Sequence, residues 1–414
     1  MRSDISGFHR LSLEERLKKL KELAGLTDEE LGLLKKAGAL EMETANRMIE
    51  NAIGTTGLPV GIATNFIING RDVLVPMTIE EPSVVAAASY AAKLARPGGF
   101  VTASDDPVMI GQIQIVGAKD TEKARKKILE NKEKIIELCN KKDSVLVSFG
   151  GGAKDVEVKI ISTEIGKMII VHLLVDVRDA MGANAVNTMC EAVTPLLEEL
   201  AGGKARLRII SNLATRRLAH AKAVWKKEVI GEDAVNGILA AYYFAKNDIY
   251  RCATHNKGVM NGIDAVVIAT GNDFRAVEAG AHAFASIGSY KPLTTYEKNK
   301  DGDLVGMIEL PMAVGIVGGT TRTNPIAKIA LKILGVKSAK ELAEIIAAVG
   351  LAQNFAALRA LSTEGIQRGH MELHAKNIAV MAGAKGSEID KTALQMIKEK
   401  NITVSRAKEI IEKK

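Results

Sequence analysis

The spacing of apolar residues changes in an orderly way between Gln112 and Ile210. QIQIV alternates apolar and polar positions as a half-buried strand does, and Asp120 then caps a helix predicted over 121–141. VEVKIIS and MIIVHLLV follow as a hairpin pair, NAVNTMCEAVTPLLEEL carries apolar residues at helical spacing, and ARLRII closes with another alternating strand. This β-α-β-β-α-β order is the ferredoxin-like, or split β-α-β, motif. It lies between stretches that lack its regularity and is therefore predicted to be inserted into a larger domain.

Upstream, Ser12 with Glu15 and Thr27 with Glu30 form two Ser/Thr-x-x-Glu capping boxes, so two helices are predicted there, the second ending at Gly38. Short apolar runs broken by turn pairs such as Asn69-Gly70 then predict strands through NAIGTTGLPVGIATNFIINGRDVLVPM. Beyond Asn212, alanine-rich helices alternate with glycine-rich turns, and GSEIDKTALQMIKEKNITVSRAKEIIEKK reads as two short charged helices, either a mobile flap or a frayed surface pair. The expected division is 1–108 and 212–374 as two parts of one large mixed domain, 109–211 as the insert, and 375–414 as a small helical tail.

Composition supports this picture. The 414 residues exceed the roughly 250–300 at which a single core stops growing. A hydrophobic content of 47% with only 4% aromatics favours helices packed on sheets, so the fold class is α+β. The net charge is +7, yet the 56 basic and 49 acidic residues are interleaved, which argues for solvated helix faces and against nucleic-acid binding. A mild basic surplus still suits polyanionic small molecules such as coenzyme A or a dinucleotide. Cys139, Cys190 and Cys252 lie far apart and suggest neither a disulfide scaffold nor a zinc knuckle. No apolar signal core opens the chain, and no run approaches the ~18 uninterrupted apolar residues of a membrane span, so a soluble cytoplasmic protein without a membrane partner is expected.

Candidate chemistry is dispersed. No GxGxxG follows a strand with an acidic residue about 20 positions on, so the Rossmann dinucleotide fingerprint is missing. Gly150-Gly151-Gly152, Met181-Gly182, and Gly315 with Gly318-Gly319-Thr320-Thr321 can each bring backbone amides close to phosphate, or be plain turns. His370 and His374 share one helix face, but Glu372 is misplaced for a zinc-protease motif, and no metal is expected. Glu80-Glu81-Pro82-Ser83 precedes the helical run VVAAASYAAKLA and reads blandly as a helix cap, as does Asp273 before its alanine-rich helix. THNKGVMNG packs a Lys, two Asn and a His into the stretch from Thr254 to Gly262.

Together, ENAIGTTGLPVGIATNF, PMTIEEPSVVAAAS, DVRDAMGANAVNTM, ATHNKGVMNGIDAVVIATGNDFRAVEAGAHA and GIQRGHMELHAKN resemble the 3-hydroxy-3-methylglutaryl-coenzyme A (HMG-CoA) reductases, most closely the shorter class II enzymes of bacteria and archaea. The resemblance spans nearly the whole chain. It implies reduction of HMG-CoA to mevalonate and coenzyme A by two NADH or NADPH, with Glu81, Lys257, Asp273 and His370 as catalytic residues. Lys257, with Asn261, would stabilise the oxyanion formed by hydride addition, and Asp273 beside Lys257 would keep it charged and oriented. Glu81 would supply a proton as mevaldehyde is reduced, and His370 would protonate the departing thiolate.

By the same resemblance Ser83, Arg251 and Asn261 would hold the HMG moiety. The insert would be a small cofactor domain, with Asp179, Ala180, Met181, Gly182 and Asn184 as its dinucleotide loop. Asp143 would accept from the adenosine ribose and favour NADH, although Lys141 and Lys142 pull the other way. The tail becomes a flap that carries His370 inward, and a homodimer or larger assembly of dimers is implied. Two departures stand out: His9-Arg10 where a relative's pattern has Arg then Asn, and Phe274 where it has Trp. A different acyl-coenzyme A oxidoreductase on the same scaffold is the main rival, and a basic nucleic-acid-binding module is the rival from another class.

Overall fold

The computed structural model describes residues 2–36, 40–96, 98–363 and 366–412, with the backbone path alone for residue 322 and residues 366–373. Among these residues ten strands form two sheets. Six strands, β1 (Val60–Ile68), β2 (Arg71–Thr78), β3 (Phe100–Ser104), β8 (Leu218–Trp225), β9 (Thr294–Lys298) and β10 (Leu304–Pro311), lie in the order β2-β1-β3-β8-β10-β9. The other four, β4 (Val108–Val116), β5 (Gly152–Thr163), β6 (Gly166–Asp176) and β7 (Lys204–Ile210), lie in the order β5-β6-β4-β7 with every neighbour antiparallel.

Local signals account for much of this. Ser12 and Thr27 both close reciprocal capping boxes, over the helices Leu13–Ala24 and Asp28–Lys35. The second helix is capped at Lys36, and Gly38 lies outside the described residues. Asn69 (φ 48°) and Gly70 (φ 77°) join β1 to β2, the pair of positive φ values that a tight hairpin turn needs. Residues 51–59, expected among the strands, are irregular.

Within 109–211 the connection order is strand, helices, two strands, helix, strand. The helix expected over 121–141 is instead two, Thr121–Glu130 and Lys132–Asn140. The break falls at Asn131, whose side-chain amide donates to the Lys127 carbonyl at 2.9 Å and competes with the helical ladder. These helices and Ala183–Ala201 cover one sheet face, burying Ile113, Ile128, Ile135, Val171, Met189 and Val193 completely.

The larger core surrounds two long helices, Ile249–Ala269 and Ala339–Ser362. The latter, of 24 residues, is long and apolar enough to cross a membrane by length and composition, although charged residues such as Lys340, Glu344 and Arg359 interrupt it, as expected of a chain without an uninterrupted apolar span. Of its most apolar 18-residue window, however, 72% is buried inside the fold, the signature of a core helix. There Phe355 stacks on Trp225 with ring centroids 3.9 Å apart, and the indole N–H donates to the Ala91 carbonyl of the Val84–Ala95 helix. At the C-terminus, Ser387–Glu399 and Val404–Glu412 pack with Ile366–Met381 around Ala375, Ala379, Met396 and Ala407. The boundary expected at residue 375 therefore falls inside a helix.

Candidate active site

The chain leaves β2 at Thr78 and enters the Val84–Ala95 helix through Glu80-Glu81-Pro82-Ser83. Ser83 sits at the N-cap position with φ 81° and ψ −25° and makes no side-chain cap hydrogen bond. A non-glycine residue held in left-handed conformation costs on the order of 1–3 kcal/mol and tends to mark a functional turn. The ordinary-cap reading thus fails for Ser83. The same turn lines a cleft of about 1810 Å³, walled by the N-terminal segment (Phe8, His9, Arg10), by Lys93, and by Ile268 and Ala269 of the Ile249–Ala269 helix.

Lys257 lies on that long helix, and its Nζ stands 3.3 Å from Glu81 Oε2. Both groups are partly exposed, 62% and 34%, so in water the pair contributes little to stability. What it does is bring an amine and a carboxyl group from distant elements to one point. Asn261 follows Lys257 by one helical turn and shares its face. Arg251 is at the start of the same helix, its backbone N–H capped by Asp248. Burial pulls its guanidinium pKa down, and it has no ion-pair partner among the described residues.

In this structure Asp273 pairs with Arg275 and Lys257 with Glu81. The Asp273 carboxylate accepts from the backbone N–H groups of Arg275 and Ala276 at the start of the Phe274–Ala285 helix, and takes the Arg275 guanidinium at 3.1 Å. Here the capping reading holds, and all three contacts fall on the same oxygen, Oδ1. His370 falls in the Ile366–Met381 helix, and its side chain lies outside the described residues.

The expected cofactor residues gather at one end of the four-stranded sheet. Asp179, Ala180 and Met181 follow β6 and lead to Gly182 (φ 108°), the N-cap of the Ala183–Ala201 helix, where a Cβ would sit 2.7 Å from Val177 Cγ1. Gly150 is close by, its carbonyl accepting from Arg178. Asp143 caps a short helix, Ser144–Ser148, through the Leu146 N–H. Asp179 has a structural bond of its own, Oδ1 to the Ala339 N–H at 2.8 Å.

Sequence reasoning missed a row of titratable groups behind Lys257. Asp264, seven residues further along the same helix, meets the Glu278 carboxyl, Glu278 Oε2 lies 2.9 Å from His282 Nε2, and His282 Nδ1 lies 2.9 Å from the Tyr290 hydroxyl. Burial, reinforced by Glu278, pushes the Asp264 pKa up to about 8. No motif flags it, since the partners come together only when the two helices pack.

Because the folded state holds this proton where the unfolded chain has lost it, Asp264 makes stability fall as pH rises from about 4 to about 8. Asp264→Asn keeps a donor toward Glu278 without the ionisation. Its melting temperature should match the parent near pH 4 and exceed it by a margin that grows up to pH 8. A constant margin across that range would remove Asp264 as the source.

The hydroxymethylglutaryl-coenzyme A reductase family model matches residues 12–375. A 3-hydroxy-3-methylglutaryl-coenzyme A reductase of Archaeoglobus fulgidus is 61% identical over 415 residues, covering 100% of this chain and 95% of the relative. A probable enzyme of the same name from Borreliella burgdorferi is 37% identical, covering 84% and 82%. Among solved structures, the class II 3-hydroxy-3-methylglutaryl-CoA reductase of Streptococcus pneumoniae bound to NADPH in open conformations superposes with a TM-score of 0.82 at 42% identity, covering 97% of this chain and 99% of that one.

Proposed function

The chain belongs to the hydroxymethylglutaryl-coenzyme A reductase family, and from that premise we propose that Glu81, Lys257, Asp273 and His370 are its reacting residues. The family's activity is an NAD(P)-dependent four-electron interconversion of HMG-CoA with mevalonate and coenzyme A through a mevaldehyde-level intermediate. The observation that carries the assignment is the contact of Lys257 with Glu81 beside the strained Ser83 turn, at the wall of a large cleft with cationic residues.

The Lys257 ammonium is the group that faces the oxyanion when hydride reaches the thioester carbonyl, with the Asn261 amide as second donor. Glu81, already hydrogen-bonded to Lys257, delivers the proton to the mevaldehyde oxygen and is the acid of the second reduction. Asp273 keeps Lys257 charged and oriented through its second oxygen, Oδ2, its Oδ1 being held by the cap and by Arg275. His370 protonates the coenzyme A thiolate, carried there by the C-terminal helices acting as a flap. Ser83 and Arg251 hold the HMG moiety, the arginine offering a two-pronged donor to its carboxylate. Arg10 and Lys93 supply positive charge for the coenzyme A phosphates.

The dinucleotide supplies the hydride. The residues at the end of the four-stranded sheet fit it: the 19-residue Ala183–Ala201 helix begins at Gly182 without a side-chain cap, leaving its first amides available to a pyrophosphate. Met181 and Asn184 flank that opening, and Asp143, with Lys141 and Lys142 beside it, would accept from the adenosine ribose. The reading includes a preference for NADH, cytoplasmic residence and self-association. Three buried free cysteines suit a reducing compartment. Tyr243, Phe244, Ile249 and Tyr250 expose an apolar patch next to Arg251 that suits a second copy.

Oxidation of NADH and NADPH should be compared spectrophotometrically with HMG-CoA present. Both should be consumed, with the lower KM for NADH, and Asp143→Ala should narrow the difference. A lower KM for NADPH in the parent enzyme would overturn the preference, and no oxidation of either would overturn the reaction.

A further inference from the structure

We propose that Asn272 and Arg217 are positioning residues that lock the dinucleotide loop onto the loop carrying Asp273, through the segment Val314–Val317. This rests on the reading of residues 179–184 as that dinucleotide loop.

Three stretches far apart in sequence lie side by side here. The Asn272 side chain bonds both ways to one residue, its Oδ1 accepting from the Gly315 N–H at 2.8 Å and its Nδ2 donating to the Gly315 carbonyl at 3.1 Å. It thus imitates a neighbouring strand, and the next residue is Asp273. On the other side of the same segment the Ile316 N–H donates to the Asp179 carbonyl at 2.9 Å, and Ala180 pairs with Val317 in a parallel bridge. The approach is so close that a Cβ on Gly315 would stand 2.5 Å from the Met181 nitrogen. Only glycine lets the two backbones meet.

Arg217 closes the arrangement from inside. It is 4% exposed, and its guanidinium donates to the carbonyls of Ala180 and Met181 at 3.2 Å each and to that of Val314. Burial draws its pKa down to about 10, with Asp176 and Asp179 opposing, so it remains a cation at neutral pH. A buried cation held by three main-chain carbonyls, two from the loop and one from the segment, fixes both at once. The loop is therefore registered against the larger part of the molecule, where Lys257, Glu81 and Asp273 reside, as well as against its own sheet. Hydride transfer needs that register, since a misplacement of about 1 Å can cost 10²-fold in rate.

The test measures kcat, both KM values, the melting temperature and the kinetic isotope effect with a dinucleotide deuterated at the transferring position. Asn272→Ala should lower kcat about 10-fold to 100-fold and raise the isotope effect, with the KM for HMG-CoA within about twofold of the parent. Arg217→Lys, which keeps the charge and loses the fork, should do the same. If the role is merely structural, the melting temperature falls and active enzyme is lost while the isotope effect stays at the parental value, which overturns the proposal. Should Arg217→Lys fail to fold, Asn272→Ala decides. Asn184→Ala is the control for the underlying reading: if it leaves the dinucleotide KM unchanged, the loop assignment falls and this inference with it. If it raises that KM while Asn272→Ala and Arg217→Lys leave kcat and the isotope effect unmoved, only this inference falls.

Discussion

Lys257→Ala is expected to lower kcat for HMG-CoA reduction by about 10²–10³-fold, the usual effect of removing one oxyanion donor from a prearranged site. Two losses combine. The thioester oxyanion is left to the Asn261 amide alone, and Glu81 loses the cation 3.3 Å away that orients it. Reduction of mevaldehyde should fall with the complete reaction, because the aldehyde oxygen occupies the same point. The lysine side chain is 62% exposed, so the fold should survive and the melting temperature should stay within a few degrees of the parent. Retention of more than a tenth of the parental kcat in a folded variant would sink the assignment of Lys257.

Arg275→Ala distinguishes the resting role of Asp273 from its reacting one. In this structure Asp273 is engaged by two amides and by Arg275. All three contacts fall on Oδ1, so removing the guanidinium takes away the ion pair and leaves the two amide bonds of the cap in place.

What the sequence made legible was local. Asn69-Gly70 specifies its hairpin because positive φ at both central positions is a property of those two residues, and the capping boxes at Ser12 and Thr27 close within one turn. The break at Asn131 is also local, yet it went unseen: an Asn in a strongly periodic run reads as helix until its amide is found bonding backward to Lys127. The candidate residues were nameable because five ordered motifs resemble one family, not because any one declared its chemistry. Which of them meet could not be read. The Glu81–Lys257 contact spans 176 positions, the Asn272–Gly315 bonds span 43, and the Arg217–Val314 bond spans 97. Such pairs depend on how sheets and helices pack, and periodicity carries no information about that. Asp273 shows the converse, a residue whose local capping tendency is plain in the sequence and met in the structure.

Glu81→Gln and His370→Ala should separate the two reductions. Glutamine preserves the shape of Glu81 and a hydrogen bond to Lys257 but has no acidic proton, so both the complete reaction and mevaldehyde reduction should fall by about 10²–10⁴-fold, the range for loss of a general acid. His370→Ala should slow the complete reaction and leave mevaldehyde reduction within about twofold of the parent, because no thiolate departs in that half. Its effect on the complete reaction should lie near the lower end of the same range, since a thiolate leaves more readily than an alkoxide and needs its proton less. Assayed with mevaldehyde, the two variants therefore differ by at least about fiftyfold: the half-buried turn before the Val84–Ala95 helix is indispensable, the helix carrying His370 dispensable. Equal loss of both activities in a folded His370→Ala enzyme would mean that the C-terminal helices organise the site as a whole, and the thiolate-protonating role would have to move to another group.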